Sequence, residues 1–399
     1  MTRTEFLPFY APDVGDEEVR EVSAALRSGW LTTGPRVQQF EEEFATAVGA
    51  PAAAAVNSGT AALHVSLTAL GIGPGDVVVT TPMTFASSIH VIEHVGARPV
   101  FADVDPDTLN IDPDGVRRAV KEAEADGPGP VRAILPVHLY GHPCDMDALA
   151  QIAEDHGLDL VQDAAHALPS SWRGHPIGGP VPGFSGKSLT CFSFYATKNL
   201  TTGEGGMFTG DPALVDEARA WILHGMSRDA WRRYASDGSW HYDVLHAGFK
   251  YNMTDQAAAL GLVQLRRLPE FQARRGEIVR RYDRAFGEIP EIETPRVHPD
   301  AEHAWHLYVI RLRLDGLRID RDRFIEELGK RNIGTSVHFI PIHLFSHYRD
   351  RYGFRPEDFP VAYGEYGRIV SLPLYPRMSD RDVDDVVEAV AGVVAEHRR

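Results

Sequence analysis

Lys198 lies in SLTCFSFYATKNLTTGEGGMFTG (residues 188–210), where a short apolar run passes into a glycine-rich turn. A lysine held at a strand end in a partly desolvated cleft has a lowered pKa and can condense with a carbonyl. Asp163 closes an earlier apolar run, LDLVQD (158–163). One amine and one carboxylate, each at the end of a strand, form the pairing that pyridoxal 5'-phosphate requires. The lysine binds its aldehyde and the acid keeps its ring nitrogen protonated.

Further groups complete that chemistry. VNSGTAAL (56–63) reads as a strand end, Ser-Gly-Thr, then a helix. The free N–H groups of such a helix start, with the hydroxyls of Ser58 and Thr60, make a phosphate cradle that needs no positive charge. Ser58 fits equally well as a simple helix cap. Phe85, in TPMTFASS (81–88), follows the next strand and can stack on a flat heteroaromatic ring or fill the core. His166, just past Asp163, can donate to the cofactor's phenolic oxygen or pack as an ordinary histidine. A carboxylate buried at Asp163 needs a partner, and a structural salt bridge would serve as well as a pyridinium N–H. Ser193 and Thr197 flank Lys198. All these groups fall at the carboxyl ends of expected strands, the edge at which open parallel sheets bind ligands.

Six apolar runs define those strands: 52–56, 76–82, 99–105, 131–139, 158–163 and 189–194. Several are continuous rather than alternating, as in strands covered on both faces. Helical patterns at 60–70, 114–125 and 146–156 separate them. This alternation predicts an α/β fold with a mainly parallel central sheet and flanking helices. Residues 14–48 read as helical, broken by the turn-rich SGWLTTGPR (28–36), and a long helical pattern over 254–286 leads out of the sheet region. The remainder reads as α+β: a strand at 306–314, a helix at 320–330, a strand at 336–340 and a closing amphipathic helix. Ser379 and Asp382 have the spacing of a capping box for that helix. The expected division is an N-terminal segment with a large domain over 1–265, and a smaller α+β domain over 266–399. GHPIGGPVPGF (174–184) reads as a surface loop.

With 399 residues, 43% hydrophobic and 24% charged, the chain has the composition of an ordinary soluble globular protein. Forty basic against 56 acidic side chains give a formal charge of -16, which argues against nucleic-acid or anionic-membrane partners. Two cysteines without repeated spacing predict no disulfide scaffold and a reducing, cytoplasmic setting. No apolar run approaches the ~18 residues of a membrane span, and the N-terminus lacks the apolar region of a secretion signal. HLYGHPC (138–144) offers His138, His142 and Cys144 to a transition metal, but no fourth ligand stands at matching spacing, so no metal is expected. There is no Gly-x-Ser-x-Gly elbow, Walker loop or Gly-x-Gly-x-x-Gly after a strand, which removes the common hydrolase, nucleotidase and Rossmann readings.

The segments SGWLTTGPRVQQFEEEFA, VNSGTAALH, TPMTFASS, PVHLYGHPCDMD, QDAAHA, FSFYATKNLTTGEGGM, GFKYNMTDQAAALGLVQL and SLPLYPRMSDRDVDDVVEAV occur in that order between residues 28 and 390. Together they resemble the DegT/StrS family of pyridoxal-phosphate aminotransferases acting on sugars, with the aspartate-aminotransferase-like fold type I. The resemblance implies a homodimer with shared active sites. It implies that Lys198 carries the cofactor and Asp163 partners the pyridine nitrogen. Phe85 would stack on the ring with His166 near its phenolic oxygen, while Ser58, Gly59, Thr60 and Ser193 hold the phosphate. In GFKYNMTDQ, Lys250 and Asn252 stand where many relatives have Asn and Arg. The resemblance implies that one of the two reaches the partner subunit's phosphate. It also implies that the Lys/Asn version goes with amination of the 4-keto carbon of a nucleotide sugar.

Dehydratase-like relatives carry histidine in place of the lysine; this chain keeps Lys198, so transamination from an amino-acid donor is expected, L-glutamate first with glutamine as the alternative. Loops and the small domain must roof the cleft, which makes Trp30, Thr32, His338, His343 and Tyr348 substrate candidates. Two alternatives remain open at this point: amination of a keto-cyclitol, and a non-catalytic regulatory protein that keeps the fold.

Overall fold

The computed structural model describes residues 3–226 and 242–399. Its centre is a seven-stranded sheet: β1 Ala52–Val56, β2 Val77–Thr80, β3 Arg98–Phe101, β4 Val131–Leu135, β5 Asp159–Asp163, β6 Ser188–Ser193 and β7 Gly206–Gly210, in the spatial order β1-β7-β6-β5-β4-β2-β3. All neighbours pair in parallel except β7, which is antiparallel to both β1 and β6. All strands but β7 therefore end at one edge, and Val56, Thr80, Leu135, Asp163 and Ser193 share it. The glycine-rich stretch after Lys198 hides β7, which the sequence pattern does not reveal.

The continuous apolar runs are explained by what covers them. Along β2, Val77 and Val79 enter one core while Val78 enters the other. In β4, Ile134 faces the first core, and Ala133 and Leu135 the second. The helices preceding the seventh strand, in chain order, are α1 Asp16–Ser28, α2 Pro35–Ala47, α3 Gly59–Ala69, α4 Ala86–His94, α5 Pro113–Asp126 and α6 Met146–His156; α7 Pro212–Trp221 follows it. Those of α2, α5 and α6 fill the first face, those of α3, α4 and α7 the second. Burying both faces of each strand removes the period-2 signal, because no position is left for a polar residue.

The long helix α8 Asp255–Phe286 connects two bodies. Its first half (Ala258, Leu262, Leu265, Leu268) packs in the core of the sheet domain, and its second half (Ile278, Val279, Tyr282, Phe286) in a separate C-terminal core. The expected boundary at 265/266 falls inside this helix. The C-terminal core is built on an antiparallel sheet of β8 Ile292–Glu293, β9 Tyr308–Leu312 and β10 Ile369–Leu372. Helix α9 Arg321–Lys330 and the closing helix Asp380–His397 cover it. Ser379 and Asp382 close their capping box reciprocally at the start of that last helix. Leu7, at the other end of the chain, bridges Ile333 and packs in the C-terminal core, so the first residues belong with the small body.

One expected strand is absent: residues 336–340 make a single bridge, Ser336 to Ser371, before the chain turns away toward Pro341. The third strand of that sheet is instead β10, with Val370 and Leu372 in the core. A fourth apolar cluster, with Met83, Leu139 and Tyr140 from the sheet domain and Leu307, Val309 and Ile369 from the small one, joins the two bodies.

Candidate active site

Asp163 is the last residue of β5, opposite Cys191 in β6, and only 5% exposed. Its Oδ2 accepts a hydrogen bond from Ser88 Oγ at 2.7 Å and its Oδ1 one from the Ala165 backbone N–H at 3.1 Å. Burial pushes its pKa up, while these two donors and the nearby Lys198 pull it back. Each oxygen keeps a free lone pair for a further donor.

Lys198 is half-buried in the loop between β6 and β7. The loop is pinned on both sides of it. Its own backbone N–H donates to Tyr195 at 2.9 Å, and the Nδ2 of its neighbour Asn199 donates to the carbonyls of Leu168 (2.9 Å) and Ala304 (2.8 Å). With both N–H groups so engaged, Asn199 Oδ1 is the acceptor for His306 Nδ1 at 3.2 Å. Lys198 Nζ makes no hydrogen bond or ion pair with any described residue. Desolvation lowers its pKa to about 8, with Asp163 working in the opposite direction. An amine of that kind is a nucleophile and a base near neutral pH.

The helix start at residues 58–60 has the shape of an anion cradle. Ser58 caps α3, its Oγ accepting from the Ala61 N–H at 3.1 Å. Capping uses a lone pair, and the Ser58 O–H points to Asn57 Oδ1 at 3.4 Å, so the structure shows Ser58 as the helix cap. A Cβ at Gly59 would sit 2.8 Å from Cβ of Ser193, and one at Gly206 would sit 2.5 Å from the Ser58 backbone. Only glycine allows the end of β6 to lie against the helix start, which puts Ser193 beside the free N–H groups.

Phe85 stands at the N-cap of α4 and is 62% exposed, its ring 6.1 Å from that of Phe339. An apolar ring left this open at the sheet's ligand edge is free to stack. His166 is buried; its ring lies 4.4 Å from His306 and stacks on Phe339 at 5.8 Å. Its Nδ1 accepts from the Tyr140 backbone N–H at 3.3 Å. Burial and the adjacent Lys198 hold its pKa far below the usual range, so the ring is neutral with its proton on Nε2.

Lys250 Nζ donates to Asn252 Oδ1 at 2.6 Å, and Asn252 Nδ2 donates to Thr33 Oγ1 at 2.9 Å and Thr32 Oγ1 at 3.4 Å. Asn252 bridges Val56, and Asn57 N–H donates to the Tyr251 carbonyl at 2.7 Å, which runs this segment along the strand that leads into Ser58. Trp30 is 49% exposed at the end of α1.

Of the small-domain candidates, His338 is close enough to Lys198 that the lysine's charge, after burial, lowers its pKa to about 4. Its Nδ1 pairs with Ser371 Oγ at 2.9 Å and its carbonyl accepts from the Tyr140 hydroxyl. His343 is placed elsewhere: it is buried against Phe359 with Nε2 toward the Pro356 carbonyl, contacts that involve none of Lys198, Asp163 or His166. Tyr348 is likewise buried, stacked on His90. His138, His142 and Cys144 organise their turn. His138 joins Gln162 Oε1 and the Cys144 N–H, and His142 accepts from the His298 N–H.

Ser88, Thr84, Asn199, Tyr140 and His306 were not legible as site residues. The one available signal was the pair of hydroxyls, Thr84 and Ser88, four residues apart across a helix start that already carried Phe85.

A desolvated lysine with no hydrogen-bond partner among the described residues, a buried carboxylate with spare lone pairs, a glycine-backed helix start and an open aromatic ring fit pyridoxal phosphate, and on this fold they define a pyridoxal-phosphate-dependent aminotransferase. The chain belongs to the DegT/DnrJ/EryC1/StrS aminotransferase family, whose model matches residues 12–391. It is 52% identical over 394 residues to the spore coat polysaccharide biosynthesis protein SpsC of Bacillus subtilis, covering 98% of each chain. Among solved structures it is similar to Spr1654 of Streptococcus pneumoniae in its PLP form (35% identity, 98% and 99% coverage, TM-score 0.88), which has also been solved in a PMP form. It is also similar to Helicobacter pylori PseC, an aminotransferase involved in the biosynthesis of pseudoaminic acid (26% identity, 98% and 100% coverage, TM-score 0.87). Among the described residues no helix is long and apolar enough to cross a membrane.

Proposed function

We propose that this enzyme transfers an amino group from L-glutamate to a nucleotide-linked keto-sugar, at C4 of an NDP-4-keto-6-deoxyhexose, in deoxyamino-sugar biosynthesis. The observation that carries the reading is the placement of Lys250 and Asn252, hydrogen-bonded to each other beside the phosphate cradle, in a chain 52% identical to a polysaccharide biosynthesis protein. Bound pyridoxal phosphate supplies an aldehyde that carries the amine and a ring that absorbs electrons as a proton leaves. Lys198 Nζ takes the proton from the donor's α-carbon, a step its lowered pKa suits. Asp163 holds a proton at the ring nitrogen, and His166 Nε2–H donates to the phenolic oxygen. The N–H groups of residues 59 and 60, with Ser58 and Ser193, hold the phosphate. Trp30, Thr32 and His338 face the sugar.

We read the working unit as a homodimer in which Lys250, steered by Asn252, brings a positive charge to the partner's phosphate. The decisive experiment offers the purified enzyme glutamate with a panel of NDP-4-keto-6-deoxyhexoses, their 3-keto counterparts and keto-inositols, and detects the amine formed. Amination of the 4-keto sugars supports the reading. Preference for keto-inositols would establish the cyclitol alternative. No spectral change of the bound cofactor with any amino-acid donor would point to a non-catalytic protein.

A further inference from the structure

Asp163 has an outer partner set that none of the assigned contacts uses. Ser88 and Thr84 are 0% and 1% exposed, four residues apart across the start of α4. Ser88 Oγ lies 2.7 Å from Asp163 Oδ2 and 2.8 Å from Thr84 Oγ1. The proton order follows from the chemistry of the groups. An ionised carboxylate only accepts, so the Ser88 proton points at Asp163; the Ser88 oxygen is then the acceptor for the Thr84 proton. Two dipoles aligned on one carboxylate in a dry surrounding reinforce each other and favour its charged form.

We propose that Thr84 and Ser88 form a two-hydroxyl relay that keeps Asp163 ionised and aimed at the cofactor's ring nitrogen, making Ser88 a positioning residue for the transamination. This rests on the assignment of Asp163 as the ring-nitrogen partner. The structural setting supports it: β5 fixes the backbone of Asp163 through the sheet, but among the described residues its side chain takes one further hydrogen bond, from the Ala165 N–H. Without Ser88 the carboxylate becomes a stronger base and draws the ring-nitrogen proton toward itself. A ring that loses that proton pulls fewer electrons from the lysine linkage, which then keeps its own proton to higher pH.

The test uses the cofactor-loaded enzyme and three variants: Ser88→Ala, Thr84→Val, which removes only the outer hydroxyl at nearly constant shape, and Ser88→Thr, which restores the inner one. Two quantities are read: the pH titration of the bound cofactor's visible absorbance, and the single-turnover rate with glutamate alone. Ser88→Ala should move the titration midpoint to higher pH and slow the glutamate half-reaction about tenfold or more, the loss expected of one hydrogen bond to a charged group. Thr84→Val should shift both in the same direction by less, and Ser88→Thr should recover both. Wild-type titration and rate in Ser88→Ala overturn the relay. If Ser88→Ala does not fold, Thr84→Val decides, and wild-type behaviour there overturns it. Asp163→Asn separates the two levels. If it leaves titration and rate unchanged, the Asp163 assignment itself fails and the relay with it; a disabled Asp163→Asn beside an unaltered Ser88→Ala overturns the relay alone.

Discussion

The backbone N–H of Tyr140 donates to Nδ1 of His166 at 3.3 Å, and that contact decides which nitrogen of the imidazole carries the proton. Tyr140 holds the position at a φ of 61°, a left-handed conformation that a tyrosine adopts only under the hold of its surroundings. Its carbonyl accepts from Leu307 and its hydroxyl donates to the His338 carbonyl, so one residue ties two small-domain segments to the histidine beside Lys198.

His166→Phe keeps a ring that can stack on Phe339 and removes the Nε2 donor. Steady-state kcat should fall by about 10- to 100-fold, the range for losing a hydrogen bond to a charged group. Cofactor stoichiometry, read by absorbance, should stay at wild type. An unaltered kcat would remove His166 from the site.

The pKa of Lys198, about 8 against a reference of 10.5, sets a pH dependence with a definite sign. Only the neutral amine condenses with an aldehyde, so the rate at which the cofactor-free chain captures pyridoxal phosphate should rise with pH about a midpoint near 8. Asp163 raises the lysine's pKa, so Asp163→Asn should shift that midpoint to lower pH. Lys198→Ala should cost about 10⁴-fold or more in turnover, since both the covalent attachment and the proton transfer are lost. Rapid mixing across a pH series checks the first two, and an end-point amine assay the third.

Gly59→Ala should be damaging for a steric reason. Its Cβ would approach Ser193 Cβ to 2.8 Å and Ser193 Cα to 3.2 Å, and the backbone on both sides must shift. Overpacking of this kind costs about 1–3 kcal/mol, here together with a distorted phosphate cradle. Gly329→Ala is the control: nothing lies within 4 Å, and a helical position favours alanine. Thermal melts with and without pyridoxal phosphate should show the cofactor-induced gain shrink only in Gly59→Ala.

Asn199→Ala would strip two buried carbonyls and the His306 N–H of their partner at once. Each group left unsatisfied costs about 1–3 kcal/mol, so a clearly lowered melting temperature is expected even without cofactor. The lysine loop should loosen with it, seen as faster hydrogen exchange at residues 194–203.

Subunit sharing of the site has a complementation test. Lys198→Ala and Lys250→Ala chains, each inactive or weak alone, are refolded together into mixed dimers. If Lys250 serves the partner's cofactor, one of the two sites in each mixed dimer is intact and activity returns. If it serves its own, both sites stay defective and nothing is recovered.

Local physics made most of the sheet domain readable. Five of the six expected strands before Lys198 were marked by apolar runs that reached the core on both faces, and α6 was bounded by its own pattern at Met146–His156. β7 escaped because its apolar part is only Met207 and Phe208, bounded by Gly206 and Gly210, and those glycines are required by neighbours that are distant in sequence: Ser58 packs against one, Leu189 against the other. Residues 336–340 had a strand's composition without a strand's neighbours. Strand pairing depends on which edge is free, and β10 takes the place beside β9.

By itself, the sequence determined the chemistry and the edge where it happens. Lys198, Asp163, the Ser58–Thr60 helix start and Ser193 all end or follow strands that run in the same direction, so their convergence is a consequence of chain direction. Tertiary structure decided what surrounds them. Ser88 reaches Asp163 across 75 residues and His306 reaches Asn199 across 107, because the strand order β1-β7-β6-β5-β4-β2-β3 and the return of the chain through α8 bring those segments together. The same return carries His338 to Lys198 and leaves His343, five residues on, against Phe359. Periodicity reports which side of its own element a residue faces; which distant residue lies there is set only when the elements pack.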